Sequence, residues 1–173
     1  MADLVILTAE ELKLRSELDR QVARRAAREE PLVRLILRTF LERGGPILVQ
    51  DIVDASPDRS EKAIHDALVA LDDDDLVRVR AAHIDVAYPF SAAPTPFRVQ
   101  LLDGRVRYAC CATDALGMAP MVGEPVAIRS ECHHCRAPID ISVTPHGPGP
   151  DADGVMVWFG KWGDDRCRAI DGL

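Results

Sequence analysis

The feature that most constrains this chain is a change of hydrophobic period at Leu76, just after the run Asp72-Asp73-Asp74-Asp75. Before it, apolar residues recur at three- and four-residue spacing. After it they alternate with polar ones, and a chain that switches between these periods must pack helices against a sheet. Leu32, Leu35, Ile36, Phe40 and Leu41 form one helical stripe behind Pro31, which suits a first helical turn, and Gly44-Gly45-Pro46 ends it. Leu48 to Ala55 predicts a short helix. Ser56-Pro57 predicts the start of another, capped by Ser56, with Ala63, Ile64, Ala67, Leu68 and Leu71 on one face. The four carboxylates stop it, because they crowd the negative pole of the helix dipole. Upstream, Thr8 and Glu11 stand at capping-box spacing and predict a helix to about Arg28.

Beyond Leu76, Val77-Arg78-Val79-Arg80 and Phe97-Arg98-Val99-Gln100-Leu101 alternate as half-buried strands do. Asp103-Gly104 is a hairpin dipeptide between Leu101-Leu102 and Arg105-Val106-Arg107-Tyr108. Helices followed by such strands describe a winged helix-turn-helix over residues 31–107, preceded by an N-terminal helix in 1–30. Residues 108–173 then predict a short helix from Asp114 to about Met121 and strands at Val126–Ser130, Ile139–Val143 and Val155–Phe159. The expected class is α+β, a winged-helix-like N-terminal half followed by a small mixed α/β half.

Charge bears on what the helical half does. The chain has 21 Lys+Arg against 28 Asp+Glu, a formal net charge of -7. Between Asp58 and Asp75, where a groove-reading helix would lie, there are seven acids and two bases, Arg59 and Lys62. Such a surface repels phosphate, so nucleic acid is not the expected partner and a scaffold role is favoured. No stretch reaches the roughly 18 apolar residues of a membrane span. Met1 to Glu11 has three acids and no basic side chain, unlike a secretory leader, so a cytoplasmic protein is expected.

Five cysteines remain, an odd number that does not suit a disulfide scaffold. Cys110 and Cys111 lie between a strand ending near Ala109 and a helix beginning near Thr113 or Asp114. Cys111 would sit at a helix N-terminus, where unpaired N–H groups favour thiolate over thiol, with the Asp114 carboxyl beside it. A nucleophile and a proton carrier within one turn make a workable pair, although buried cysteine and a capping Asp are also ordinary structural features. Cys132-His133-His134-Cys135 is half of a metal knuckle, needing further ligands from Cys110, Cys111, Cys167 or a histidine for a tetrahedral ion. Pro138 disfavours the helix that a redox dithiol would precede. Soft thiolates suit Zn²⁺, Cu⁺ or Hg²⁺. His65 is expected on the solvated side of its helix, His83 in a structural position and His146 in a Pro/Gly loop.

The residues Tyr88-Pro89-Phe90-Ser91, Pro94-Thr95, Phe97-Arg98-Val99 and Tyr108-Ala109-Cys110-Cys111-Ala112-Thr113-Asp114-Ala115-Leu116-Gly117 resemble the organomercurial (alkylmercury) lyase family. Val122-Gly123, Val126 to Ser130, Cys132 and Ala137 to Val143 continue the likeness in register, over roughly Pro31 to Phe159. The resemblance implies a winged-helix-like first part and a mixed sheet carrying the chemistry. It implies cleavage of carbon–mercury bonds by protonolysis, releasing a hydrocarbon and Hg²⁺ without an added cofactor. The partners it implies are a small organomercury substrate and cellular thiols. On it, Cys111 matches the first catalytic cysteine, Asp114 the catalytic aspartate, and Cys132 a cysteine of more structural role. The family's second catalytic cysteine lies in a C-terminal aromatic-rich strand, expected here to be short or missing, and Cys167 is the thiol nearest in sequence. Two alternatives remain. One is a non-enzymatic zinc- or mercury-thiolate protein joining Cys132 and Cys135 with Cys110 or Cys111. The other is a metal-responsive winged-helix regulator.

Overall fold

The computed structural model describes residues 30–157; the expected N-terminal helix to about Arg28, Phe159 and Cys167 lie outside this range. Helix α1 (Glu30–Arg43) is followed by β1 (Ile47–Leu48), α2 (Val49–Asp54), α3 (Glu61–Asp73), β2 (Val77–Arg80), β3 (His83–Ala87) and β4 (Phe90–Ser91). Then come β5 (Arg98–Gln100), β6 (Val106–Ala109), α4 (Ala112–Val122), β7 (Val126–Glu131), β8 (Pro138–Thr144) and β9 (Gly147–Pro148). Among the described residues the strands form one antiparallel sheet in the order β1-β3-β4-β6-β5-β7-β8-β9, with β2 also pairing β3. The change of period at Leu76 is thus the passage from α3 into this sheet.

Burial follows the helical stripes. Leu32, Ile36 and Phe40 of α1, Ile64, Leu68 and Leu71 of α3, and Ala115, Met118 and Ala119 of α4 join Val99, Ile128, Ile141 and Val143 of the sheet in one apolar core. The rings of Phe40 and Phe90 stack with centroids 5.8 Å apart, which fixes α1 on the centre of the sheet. Gly45 has to be glycine beneath that stack, since a Cβ there would run into the Phe40 ring and Ala92. Asp103-Gly104 makes the expected β5–β6 turn, with Gly104 at φ +87°.

Three boundaries differ from the sequence expectation. Leu48 pairs with His83 in β1 and only then does α2 begin. The cap of α3 is Ser60, not Ser56: the Ser60 hydroxyl accepts the Ala63 N–H at 3.2 Å, while Ser56 is held in a turn by donating its N–H to Val53 O. The helix starts where a serine side chain reaches an orphan amide three residues on. Finally, Val155 to Val157 do not form the start of a strand. At this point along β8, Ser142 donates its N–H to the Asp151 carboxylate at 2.8 Å and accepts from Gly149 N–H at 2.8 Å, so both its ladder groups are already used. Val155 and Met156 are left exposed.

The end of α1 is closed from the sheet. Arg107 of β6, buried at 9% exposure, donates from Nε to Phe40 O (2.8 Å) and from Nη2 to Glu42 O (2.8 Å), and it also reaches Leu41 O. Phe40 O also accepts the Gly44 N–H at 2.9 Å where the helix ends, and charge-assisted bonds to such terminal carbonyls are strong. Arg107→Met keeps much of the stem and removes the guanidinium. Chemical denaturation is expected to show it less stable by about 3 kcal/mol; a change within experimental error would mean that water serves these carbonyls equally well.

Candidate functional site

β6 lies inside the sheet, bonded to β4 on one side and β5 on the other. The chain leaves it at Ala109, passes through Cys110 and Cys111, and enters α4 at Ala112. Thr95 ties this exit down by donating its hydroxyl to Ala109 O at 2.6 Å. Cys110 donates its N–H to Pro89 O at 3.0 Å, and its side chain is buried against Val86 and Tyr88. Cys111 is the N-cap of α4 in extended conformation, and its half-buried sulfur accepts the Asp114 N–H at 3.4 Å. The same sulfur donates to Asp114 Oδ2 at 3.0 Å. Nucleophile candidate and carboxylate therefore face each other on the first turn of one helix, at the end of a fully paired strand.

The protonation state differs from the sequence expectation. Burial pushes the Cys111 thiol up to about 11, and the hydrogen bond to Asp114 and its negative charge push the same way. The N–H groups of Asp114 and Thr113 act in the opposite direction, as a helix N-terminus should, but they are outweighed. Cys111 is thus a thiol held against a carboxylate rather than a free thiolate. The buried Cys110 thiol is raised further, first by desolvation and then by Asp114 and Cys111. Tyr88 keeps its phenolic proton: burial raises it most, and the nearby carboxylates Asp75 and Asp114 push the same way.

Tyr88 enters the sequence reading only as part of the family likeness, with no place beside the cysteines. Its signal lies in the register: Phe90 pairs with Ala109 in the antiparallel β4–β6 ladder, and counting back two residues sets Tyr88 level with Cys111. An aromatic two residues before a strand that pairs with the cysteine-bearing one is a cue visible only once the pairing is known.

Cys132 and Cys135 stand in the turn between β7 and β8. Cys132 donates its N–H to Ala137 O at 2.8 Å, and Arg136, at φ +61°, donates its N–H to Cys132 O at 2.9 Å. The neighbouring backbone N–H groups of Cys135 and His134, and then the Cys135 side chain, draw the Cys132 thiol below the usual thiol range. Arg98 of β5 pairs with Tyr108 on one side and Arg129 on the other, so Cys111 and Cys132 each lie three residues beyond one row of the sheet. One strand stands between them, a lateral offset of about 10 Å at ordinary strand spacing. Among the described residues no group of three or more His, Cys, Asp or Glu is arranged to hold a metal ion. The expected joint site of Cys132 and Cys135 with Cys110 or Cys111 is not assembled there: Cys110 is packed into the apolar layer and β5 intervenes.

The histidines sit as expected, His65 with Nδ1 at 3.0 Å from Glu61 O and His83 with Nδ1 at 3.0 Å from Ala81 O. His146 is exposed in its loop, its N–H donated to Thr144 Oγ1 at 3.2 Å. A surface depression lined by Arg129, Asp140, Ser142 and Asp151 contains none of the cysteines. No helix among the described residues is long and apolar enough to cross a membrane.

Comparison with known proteins gives a consistent result. The sequence model of the alkylmercury lyase family matches residues 90–171. The chain is 32% identical over 118 residues to an alkylmercury lyase of Staphylococcus epidermidis, a match covering 67% of this chain and 51% of that protein. It is 29% identical over 123 residues to an alkylmercury lyase of Streptomyces lividans, covering 69% and 54%. The chain therefore spans about half the length of the curated relatives it matches. Among solved structures, the crystal structure of the mercury-bound form of MerB2 superposes with a TM-score of 0.61 at 22% identity, over 75% of this chain and 63% of that one, a likeness of fold.

Proposed function

Given that the chain belongs to the alkylmercury lyase family through residues 90–171, we propose that it cleaves carbon–mercury bonds by protonolysis at Cys111 and Asp114. The observation that carries this reading is the 3.0 Å contact from Cys111 Sγ to Asp114 Oδ2. An organomercury cation meeting Cys111 displaces the thiol proton. The carboxylate already bonded to that proton takes it, leaving a sulfur–mercury bond and a neutral Asp114. The newly made acid stands beside the mercury-bearing sulfur and returns the proton to the departing carbon as the carbon–mercury bond breaks. Hydrocarbon leaves, Asp114 is again a carboxylate, and mercury(II) stays on Cys111 until a second thiolate takes up its other valence. The raised Cys111 thiol suits this sequence, because a sulfur that was already ionised would have no proton to pass on. The reaction needs no added cofactor.

Cys167 is the proposed second thiolate, and cellular thiols would remove the metal. Residues 108–173 would carry the chemistry and residues 31–107 the scaffold. The order α1-β1-α2-α3-β2-β3, with β1 and β2 both on β3, supports a winged-helix-like first part. Exposed Glu61, Asp66 and Asp73 on α3 favour scaffold over phosphate binding. The non-enzymatic thiolate reading draws less support, since the Cys111 thiol is engaged by Asp114 rather than by other cysteines.

The direct test is turnover of phenylmercuric acetate with excess thiol in D₂O. Singly deuterated benzene and an equivalent of mercury(II) are expected, the deuteron having come through the exchangeable acid. Absence of benzene, or benzene without deuterium, would remove the protonolysis reading.

A further inference from the structure

The turn from Cys132 to Cys135 is not used by the chemistry above, yet it is built as a donor pair. Its two free cysteines stand three residues apart on the one turn that joins β7 to β8. The turn is closed on both sides, by Arg136 N–H on Cys132 O (2.9 Å) and by Cys132 N–H on Ala137 O (2.8 Å). Arg136 holds the left-handed conformation that lets the chain fold back around the pair. Cys135 is exposed and Cys132 partly so, and neither is in a disulfide. Both therefore face incoming solutes, unlike Cys110.

We infer that Cys132 and Cys135 form a second thiolate site, separate from Cys111, for a soft cation that is satisfied by two sulfur ligands, with mercury(II) as its representative. The choice of cation follows from the count of donors. Zinc in a structural site takes four protein ligands, and no third His, Cys, Asp or Glu joins this pair among the described residues. Mercury(II) is soft and completes a stable two-coordinate dithiolate, so two adjacent thiols on one turn suffice. Binding balances as one Hg²⁺ and two thiols giving one S–Hg–S unit and two protons. Against a free monothiol the pair has the chelate advantage: once one sulfur has bound, the second is already within reach, a gain of about 10²- to 10⁴-fold.

This site does not depend on lyase activity, and its test can be read apart from it. The reduced full chain is loaded with mercuric chloride, challenged with excess glutathione and then alkylated, and the blocked cysteines are identified by peptide mass spectrometry. Cys132 and Cys135 are expected to be protected together, in the natural chain and equally in Cys111→Ser. The proton release should be two per retained mercury at this site. Cys135→Ser alters only an exposed side chain, and it is expected to expose Cys132 to alkylation and to weaken retention by about 10²-fold or more. Free alkylation of both residues in the loaded chain would overturn the inference, as would unchanged retention in Cys135→Ser. A tetrahedral four-thiolate cobalt(II) spectrum that Cys135→Ser abolishes would also overturn it, since the turn would then be part of a zinc-type site.

Discussion

Cys111→Ser is expected to abolish carbon–mercury cleavage, by on the order of 10⁴-fold or more, the scale on which loss of an enzyme nucleophile is felt. The fold should be left in place. Serine is a favoured N-cap, and a hydroxyl at this position can accept the Asp114 N–H that Cys111 Sγ now accepts at 3.4 Å. The first turn of α4 therefore keeps its cap, and thermal unfolding of the variant should match that of the parent protein closely. What disappears is a soft donor and an acidic proton. A hydroxyl oxygen is a hard ligand with little affinity for mercury, and it gives up its proton far less readily than even the raised thiol. The measurement is benzene formation from phenylmercuric acetate under excess thiol, with the melting temperature of both proteins alongside. Parent-like turnover in a folded Cys111→Ser protein would place the reaction elsewhere in the chain.

How much of this was legible beforehand divides along a physical line. Patterns written by one segment on itself were readable. The stripe of Leu32, Ile36 and Phe40, the alternation of Val77 to Arg80, and the turn at Asp103-Gly104 all appear where local periodicity and turn chemistry place them. So does the approach of Cys111 and Asp114, because three residues on a helix start are neighbours by geometry alone. Matters decided by competition between segments were not readable. Ser56 has the composition of a cap, but its N–H is spent on Val53 O in a turn, and the helix starts four residues later at Ser60. Val155 to Val157 have strand composition, but Asp151 and Gly149 had already taken up the backbone groups of Ser142.

Long-range electrostatics were equally hidden. Arg107 reads in the sequence as one polar residue of a half-buried strand, and only the docking of α1 converts it into the partner of three helix carbonyls. The helix N-terminus alone argued for a Cys111 thiolate. Burial, together with the carboxylate of Asp114, reverses that balance. The proton that the dipole argument would have removed is the one the proposed mechanism requires.

The same balance makes Asp114→Asn the most informative substitution after Cys111→Ser, because its two expected effects have opposite directions. Asparagine keeps the size and the backbone N–H of Asp114 but cannot carry a proton to carbon. Loss of a general acid costs on the order of 10²- to 10⁴-fold, and cleavage should fall by that amount. The charge that helps hold the Cys111 thiol at about 11 disappears at the same time. A thiol raised by a neighbouring negative charge titrates at lower pH once that charge is gone, so the thiolate fraction near pH 8 rises. Burial, the largest cause of the shift, remains, and the thiol therefore moves only part of the way back toward its ordinary value. Alkylation of Cys111 by iodoacetamide, followed against pH by mass spectrometry, should rise near pH 8. Its inflection should move down from that of the parent protein. An enzyme whose nucleophile becomes more reactive while its turnover collapses has lost a proton carrier rather than a thiolate. If alkylation and cleavage instead fell together, Asp114 would be supporting the position of Cys111 and not delivering the proton.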